Sequence, residues 1–217
     1  KITNIGFNSI LSNGLGIDFE YFIRETNDIL FNIPINVLTG FTSQTSNAAS
    51  MENKGWELGL RYNRSFGDLK VQLSGQLSKV ENTVTDLNPK VDGGDVDRIL
   101  SGTRIIGEGL PFNGFYVVKT DGLITGTPNA ANASLGAQAG DLNMIDLDGD
   151  NEISLDDRQY VGKDIPTYTY GFQLGLQYKS FDVAAIFQGE SDVQYYGNNE
   201  LWYPDFGGVV TWKRWIT

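Results

Sequence analysis

The stretch Asp146-Leu147-Asp148-Gly149-Asp150-Asn151-Glu152-Ile153-Ser154-Leu155-Asp156-Asp157 carries the most specific chemistry in the chain. Oxygen-bearing residues fall at positions 1, 3, 5, 7, 9 and 12 of this segment, which is the spacing of a calcium loop. A hard cation needs several oxygens converging from one short backbone, and acidic residues at alternate positions of a tight turn supply them. In this reading Asp146, Asp148 and Asp150 ligate through carboxylates, Glu152 through its backbone carbonyl and Ser154 directly or through water, while Asp157 closes the site. Two residues depart from the pattern. Asn151 stands where glycine usually makes the sharp turn, although Asn tolerates positive φ better than most residues. Asp157 is shorter than the usual Glu, which weakens bidentate closure and discrimination against magnesium. The expected ion is a structural Ca2+, for which a loop outside the cell needs an affinity of only about 10⁻⁴ to 10⁻³ M. The competing reading is a solvated acidic turn without metal.

Other chemistry is largely excluded by composition. Histidine and cysteine are both absent, so no Ser-His-Asp or Cys-His arrangement, thiolate site, disulfide or His-ligated zinc can be built. Paired carboxylates remain, but no spacing singles out an acid and a base. Gly107-Glu108-Gly109 lacks the strand-then-helix context of a dinucleotide fingerprint. These features predict a non-enzyme. The net charge of −11 offers no basic stripe and argues against a nucleic-acid partner. Tyr195, Tyr196, Trp202, Tyr203, Phe206, Trp212 and Trp215 crowd the C-terminal stretch. Of these, Trp202, Tyr203 and Trp212 are weak candidates for stacking on a substrate, against the blander reading of loop packing.

The elements around these residues read as strands. From 167 to 178, Tyr168, Tyr170, Phe172, Leu174, Leu176 and Tyr178 alternate with Thr167, Thr169, Gly171, Gln173, Gly175 and Gln177, a two-residue period with one apolar face. The period resumes after Lys179-Ser180 with Phe181, Val183, Ala185 and Phe187. A second hairpin sets Trp56, Leu58, Leu60 and Tyr62 against Leu69, Val71, Leu73 and Leu77 across Gly67-Asp68. A third uses Ile5 and Phe7, then Leu15, Ile17, Phe19, Tyr21 and Ile23. The expectation is six strands, at about 2–11, 15–31, 55–66, 69–83, 167–178 and 181–196, with long connections at about 32–54, 84–166 and 197–217.

Tight turns of two or three residues thus alternate with connections far longer than ordinary loops. A membrane barrel sorts its turns and loops by end in this way, whereas a β-sandwich has no reason to. Several segments also reach the roughly 9 to 11 residues that a tilted membrane strand needs. No apolar run approaches the roughly 20 residues of a membrane-spanning helix, and Lys1 does not open a signal peptide. Six strands cannot close a membrane barrel, since the smallest single-chain examples have about 8. The reading is therefore a barrel segment whose first and last strands pair with sequence outside it.

A family likeness rests on particular residues. Gly140-Asp141-Leu142, the acidic loop, Asp157-Arg158, Val161-Gly162, Tyr168-Thr169-Tyr170-Gly171-Phe172, Tyr178-Lys179-Ser180-Phe181-Asp182 and Phe187-Gln188-Gly189 together resemble the C-terminal barrel region of SusC/RagA-type TonB-dependent transporters. Met51-Glu52-Asn53-Lys54-Gly55-Trp56-Glu57-Leu58 resembles a strand-opening segment of that family, and Gly114-Phe115-Tyr116 with Asp121-Gly122 resembles one of its loop motifs. The likeness covers most of residues 50 to 190. It implies an all-β chain that is part of a 22-stranded transmembrane barrel in the outer membrane of a Gram-negative bacterium, with long loops extracellular. It also implies nutrient import of glycans or peptides energised through TonB, and a SusD-like lipoprotein lid. No plug domain is recognised in these residues. Gln173, Gln177, Glu57 and Arg61 are the polar positions expected to face the lumen. The competing function is a secreted or surface β-sandwich binding module with a calcium-stabilised loop. A barrel of like ancestry recruited to secretion or assembly shares every wall feature.

Overall fold

The computed structural model describes residues 1–12, 14–34, 40, 43–87, 90–91, 94–95 and 98–196. Its main sheet has six strands. They are β1 (Ile2–Ile10), β2 (Leu15–Pro34), β3 (Ser43–Phe66), β4 (Leu69–Leu87), and, after the insert described below, β13 (Tyr168–Tyr178) and β14 (Phe181–Ser191). The order is β1-β2-β3-β4-β13-β14, with every pair antiparallel. Each strand lies beside its neighbour in the chain, the simplest up-and-down topology. The sheet is open, and β1 and β14 are its edges.

The three hairpins are those expected. Their turns, at Leu11 to Gly14, Gly67-Asp68 and Lys179-Ser180, all lie at one end of the sheet. Gly67 adopts φ +60, a left-handed conformation that costs glycine nothing. At the opposite end β2 and β3 run further than their alternation indicates. The expected loop at 32–54 is instead mostly ladder, with Pro34 opposite Ser43 and Thr26 opposite Met51. The stretch Ser43 to Lys54 is mostly polar, with Ala48, Ala49 and Met51 too few to mark an alternating apolar face, yet its backbone groups pair all the same. β4 likewise continues to Leu87. β14 stops at Ser191 rather than 196, because Asp192 turns to φ +56.

The expected connection at 84–166 is a folded insert. It contains β5 (Lys90–Val91), β6 (Gly94–Asp95), β7 (Arg98–Ser101), β8 (Arg104–Gly107), β9 (Gly114–Val118), β10 (Thr120–Leu123), α1 (Ala130–Ser134), β11 (Leu142–Met144) and β12 (Arg158–Gly162). Four of these strands form the loop sheet, in the order β12-β9-β8-β7, and β10 pairs with β11. None exceeds five residues, too short to show a period of two. Two arginines brace the loop sheet through its aromatics: Arg104 lies 3.8 Å over the Phe115 ring and pairs with Asp164 at 2.8 Å, while Arg158 lies over Tyr116.

The apolar core sits where the insert meets the long hairpin, among Ala49, Val84, Leu87 and Ile99, with Ile29, Ile106 and Phe112 packed against them. Burying Val84 or Leu87 contributes about 1.5–3 kcal/mol each. Over the regular part of the main sheet, by contrast, the apolar face is uncovered. Phe181 is 79% and Phe187 62% exposed. A β-sandwich needs a second sheet on that face, and among the described residues none packs there.

Candidate functional site

The acidic loop brings three of its six predicted ligands together. Carboxylate oxygens of Asp146, Asp148 and Asp157 lie within 4.8 Å of one another. Backbone N–H groups hold each of them. Asp146 accepts from Gly149 at 2.7 Å and from Asn151 at 2.9 Å, and Asp148 accepts from Asp150 at 3.1 Å. Asp157 exposes none of its surface and accepts from Leu147 at 2.6 Å and from Ser154 at 2.7 Å. Asn151 takes φ +67, so it makes the turn that glycine usually makes. Asp150 lies outside the three-carboxylate group, its Oδ1 accepting from the Glu152 N–H at 2.8 Å, and the Ser154 Oγ accepts from the Asp156 N–H at 3.0 Å.

The electrostatics of these carboxyls differ. The N–H groups of Ser154 and Leu147 hold Asp157 below its ordinary value, outweighing desolvation. The Asp150 N–H pulls Asp148 in the same direction, but desolvation and the charges of Asp150, Asp157 and Asp146 together push it up. Asp157 is thus a braced anchor and Asp148 the repelled member. Three hard oxygen donors with unrelieved mutual repulsion suit a divalent cation of the Ca2+ or Mg2+ kind.

The other chemical surface is the wall itself. Register places Phe19, Leu58, Leu77 and Tyr170 in one row across β2, β3, β4 and β13, and Ile17, Leu60, Phe172 and Phe187 in another across β2, β3, β13 and β14. The opposite face carries Asp18, Glu20, Glu57, Arg61, Gln72, Gln76, Gln173 and Gln177. Its side chains bond from strand to strand. Arg61 pairs with Asp18 at 2.7 Å, Asn4 donates to Glu20 at 2.9 Å, Asn8 donates to Asp18, Ser78 and Thr169 share a bond at 2.6 Å, and Ser74 reaches Gln173 at 3.4 Å. Two troughs, of about 680 and 340 Å³, share Asp18, Gly59 and Gln76 in their linings, so the sheet is concave on its polar side. Trp202, Tyr203 and Trp212 lie outside the described residues, as does the whole of 197–217.

Sequence reading passed over two polar residues that join the insert to the wall. Asn82 is buried at 7% exposure, and Thr167, at 5%, donates its hydroxyl to Asp192, which also faces Lys163 at 3.8 Å. A polar residue within an alternating strand carries no mark of burial. The nearest signal was the Asn82-Asn53 pairing across two strands, visible only once register is known.

An open, sequentially ordered antiparallel sheet, apolar on its convex face and polar on its concave face, with tight turns at one end, is a section of a large β-barrel wall. The curated TonB-dependent receptor P3 of Formosa agariphila is 31% identical over 189 residues, covering 83% of this chain and 19% of that receptor. The TonB-dependent receptor P26 of the same organism is 33% identical over 196 residues, covering 87% of the chain and 20% of the receptor. No family model matches. Among solved structures, the RagAB peptide transporter shares the fold, with a TM-score of 0.73 at 23% identity over 95% of this chain and 22% of that one. The RagAB peptide importer in its closed-closed state gives a TM-score of 0.69 at 23% identity over 92% of this chain and 22% of that one. The expected likeness to TonB-dependent receptors is borne out over most of the chain, and the RagAB structures share its fold. The chain spans about a fifth of the length of the curated relatives it matches.

Proposed function

We propose that this chain forms part of the wall and extracellular loops of an outer-membrane importer that takes up oligosaccharides or peptides with energy delivered through TonB. The observation that carries this reading is the sorting of side chains in register, apolar on the convex face and polar on the concave one, across six strands. A sheet edge or an unpaired backbone group cannot face hydrocarbon, so β1 and β14 pair with further strands that close the wall. Tyr21, Trp56 and Tyr168 fall in one transverse row near one border of the apolar face, and Phe66, Tyr178 and Phe181 in another at the opposite border. Ten residues separate Trp56 from Phe66 along β3. At about 3.3 Å per residue and a tilt of about 45°, Trp56 and Phe66 stand roughly 23 Å apart along the membrane normal, which supports placing them near the two borders of an apolar band about 25 Å tall.

In this reading the tight turns are periplasmic, the insert is extracellular, and the polar face meets the aqueous lumen. The role is transport rather than catalysis. A plug and the TonB contact come from other parts of the protein, and a SusD-like lipoprotein covers the outer mouth. The acidic loop holds Ca2+ through Asp146, Asp148 and Asp157, joined by Asp150, Glu152 and Ser154 as it tightens, and the ion stiffens the insert. Deleting the gene tests the import reading, with uptake of labelled oligosaccharides and peptides measured in parallel. Loss of one class on deletion, restored by complementation, supports import and names the substrate class; unchanged uptake of both classes overturns it.

A further inference from the structure

β13 pairs with β4 only as far as Tyr168 opposite Lys79, and the Thr167 carbonyl then takes the Val80 N–H at 2.8 Å. Beyond that point the segment from Gly107 to Phe112 takes over the free edge of β4. Val84 N donates to Leu110 O and Gly109 N donates to Val84 O, both at 2.9 Å, and the Leu87 N–H is received by the Glu108 carboxylate at 2.9 Å. Asn82 stands at the hand-over. Its amide oxygen accepts from the Phe112 N–H at 2.7 Å, and its amide nitrogen donates to Asn53 Oδ1 at 2.7 Å and lies 3.3 Å from the Met51 sulfur.

No register shift interrupts the pairing of β3 with β4 from the turn up to Met51 opposite Val84. Alternation therefore puts Asn82 and Val84 on the same face as Gln76 and Ser78, which is the polar face. Val84 is also in the core that receives Ile99 and Phe112 from the insert. The insert is thus seated over the concave, polar side of the wall and not over its apolar side.

We infer that Asn82 is the positioning residue that seats the loop sheet on the polar side of the wall. Its one side chain satisfies the insert and the neighbouring strand together, so losing it removes the acceptor of the Phe112 N–H and the donor to the Asn53 amide oxygen at a partly buried junction. If the polar face lines the lumen, as proposed above, the loop sheet overhangs the channel entrance at a position that Asn82 sets.

The test uses the full-length protein containing this segment, purified in detergent, with hydrogen exchange followed by mass spectrometry for the wild type, Asn82→Leu and Asn82→Asp. In Asn82→Leu, peptides covering 104–118 are expected to exchange about tenfold faster while those covering 168–178 are unchanged. Asn82→Asp is expected to stay near the wild type, because its carboxylate still accepts from Phe112 and takes the Asn53 amide once that side chain flips. Unchanged exchange over 104–118 in Asn82→Leu overturns the inference, as does Asn82→Asp exchanging as fast as Asn82→Leu. Should Asn82→Leu fail to assemble, Asn82→Ala makes the same comparison. Heat-modifiable migration of the same samples tests the barrel reading separately, since a failure there leaves the exchange result standing.

Discussion

Leu73 of β4 and Leu174 of β13 stand directly opposite each other in the ladder, while their neighbours Ser74 and Gln173 share a hydrogen bond on the other face. One step along either strand therefore crosses from the apolar face of the sheet to the polar one. Leu174→Arg places a cation near the middle of the apolar band and is expected to destabilise the folded barrel by about 2–4 kcal/mol, whereas Gln173→Arg on the polar face is expected to cost less than about 1 kcal/mol. Equilibrium folding into bilayers measures both. Nitroxides at the two positions read the solvents directly. The label at 174 is expected to respond to oxygen dissolved in lipid and the label at 173 to an aqueous nickel complex. The opposite pattern, or protection from both at 174, removes the lipid face.

Gly55 is where the long hairpin closes most tightly. A Cβ there stands 2.2 Å from the Lys79 carbonyl oxygen and 3.0 Å from the ring of Phe22, which lies over the glycine. Since a carbonyl in a ladder cannot swing aside, Gly55→Ala must spread β3 from β4 beside Trp56. The expected loss is about 1–3 kcal/mol in folding free energy, read from denaturant titration of the assembled barrel. Gly67→Ala, with open space around its Cβ, bears only the cost of its backbone conformation and is expected to lose about 1 kcal/mol. Equal losses at the two positions contradict the packing account.

The legible and illegible parts of this chain divide by environment. Tyr168 to Tyr178 alternates cleanly because its side chains sort between an apolar and a polar face, and β13 begins and ends within a residue of where that period does. Ser43 to Lys54 shows no two-residue apolar period, because what packs there is Ala49 against Val84, Leu87 and Ile99 from β4 and the insert, a contact that the local sequence does not mark. Arg98 to Ser101 and Arg104 to Gly107 are shaped by long-range contacts with the wall and by arginines over aromatic rings. In the acidic loop the order of oxygens was readable, and Asn151 takes the left-handed conformation its position requires. That Asp150 stands apart from the other three carboxylates was not readable, because its orientation depends on which N–H it receives.

The opposed shifts of Asp157 and Asp148 set the pH response of the metal-free loop. Asp157 lies below its ordinary value of 3.8, so the stability it contributes is complete above that value and is lost as pH falls through the depressed one. Asp148 lies above 3.8, so its charge costs stability at neutral pH, and that cost is relieved as pH falls through the raised value. In excess chelator, protection of residues 141–160 against limited proteolysis is therefore expected to rise on mild acidification and to collapse only below the ordinary carboxylate range. A monotonic loss starting near neutrality contradicts the assignment of Asp148 as the repelled member.

Replacing Asp157 separates a metal site from a solvated acidic turn. The Asp157→Asn side chain keeps one oxygen for the Leu147 N–H, but its amide nitrogen cannot accept from Ser154, and one negative charge is lost from the three-carboxylate group. If the loop binds no ion, removing that charge eases the repulsion on Asp148 and the only deficit is the orphaned Ser154 N–H. If the loop binds Ca2+, the substitution removes the residue that closes the site, and affinity is expected to fall roughly 10- to 100-fold. Calorimetric titration of the chelator-treated full-length protein measures this, with Asp156→Asn as the control because Asp156 lies outside the converging group. Binding lost in Asp157→Asn and kept in Asp156→Asn supports the metal reading. A wild-type protein that takes up no calcium and gains no thermal stability from it leaves the loop as an acidic turn held by its own N–H groups.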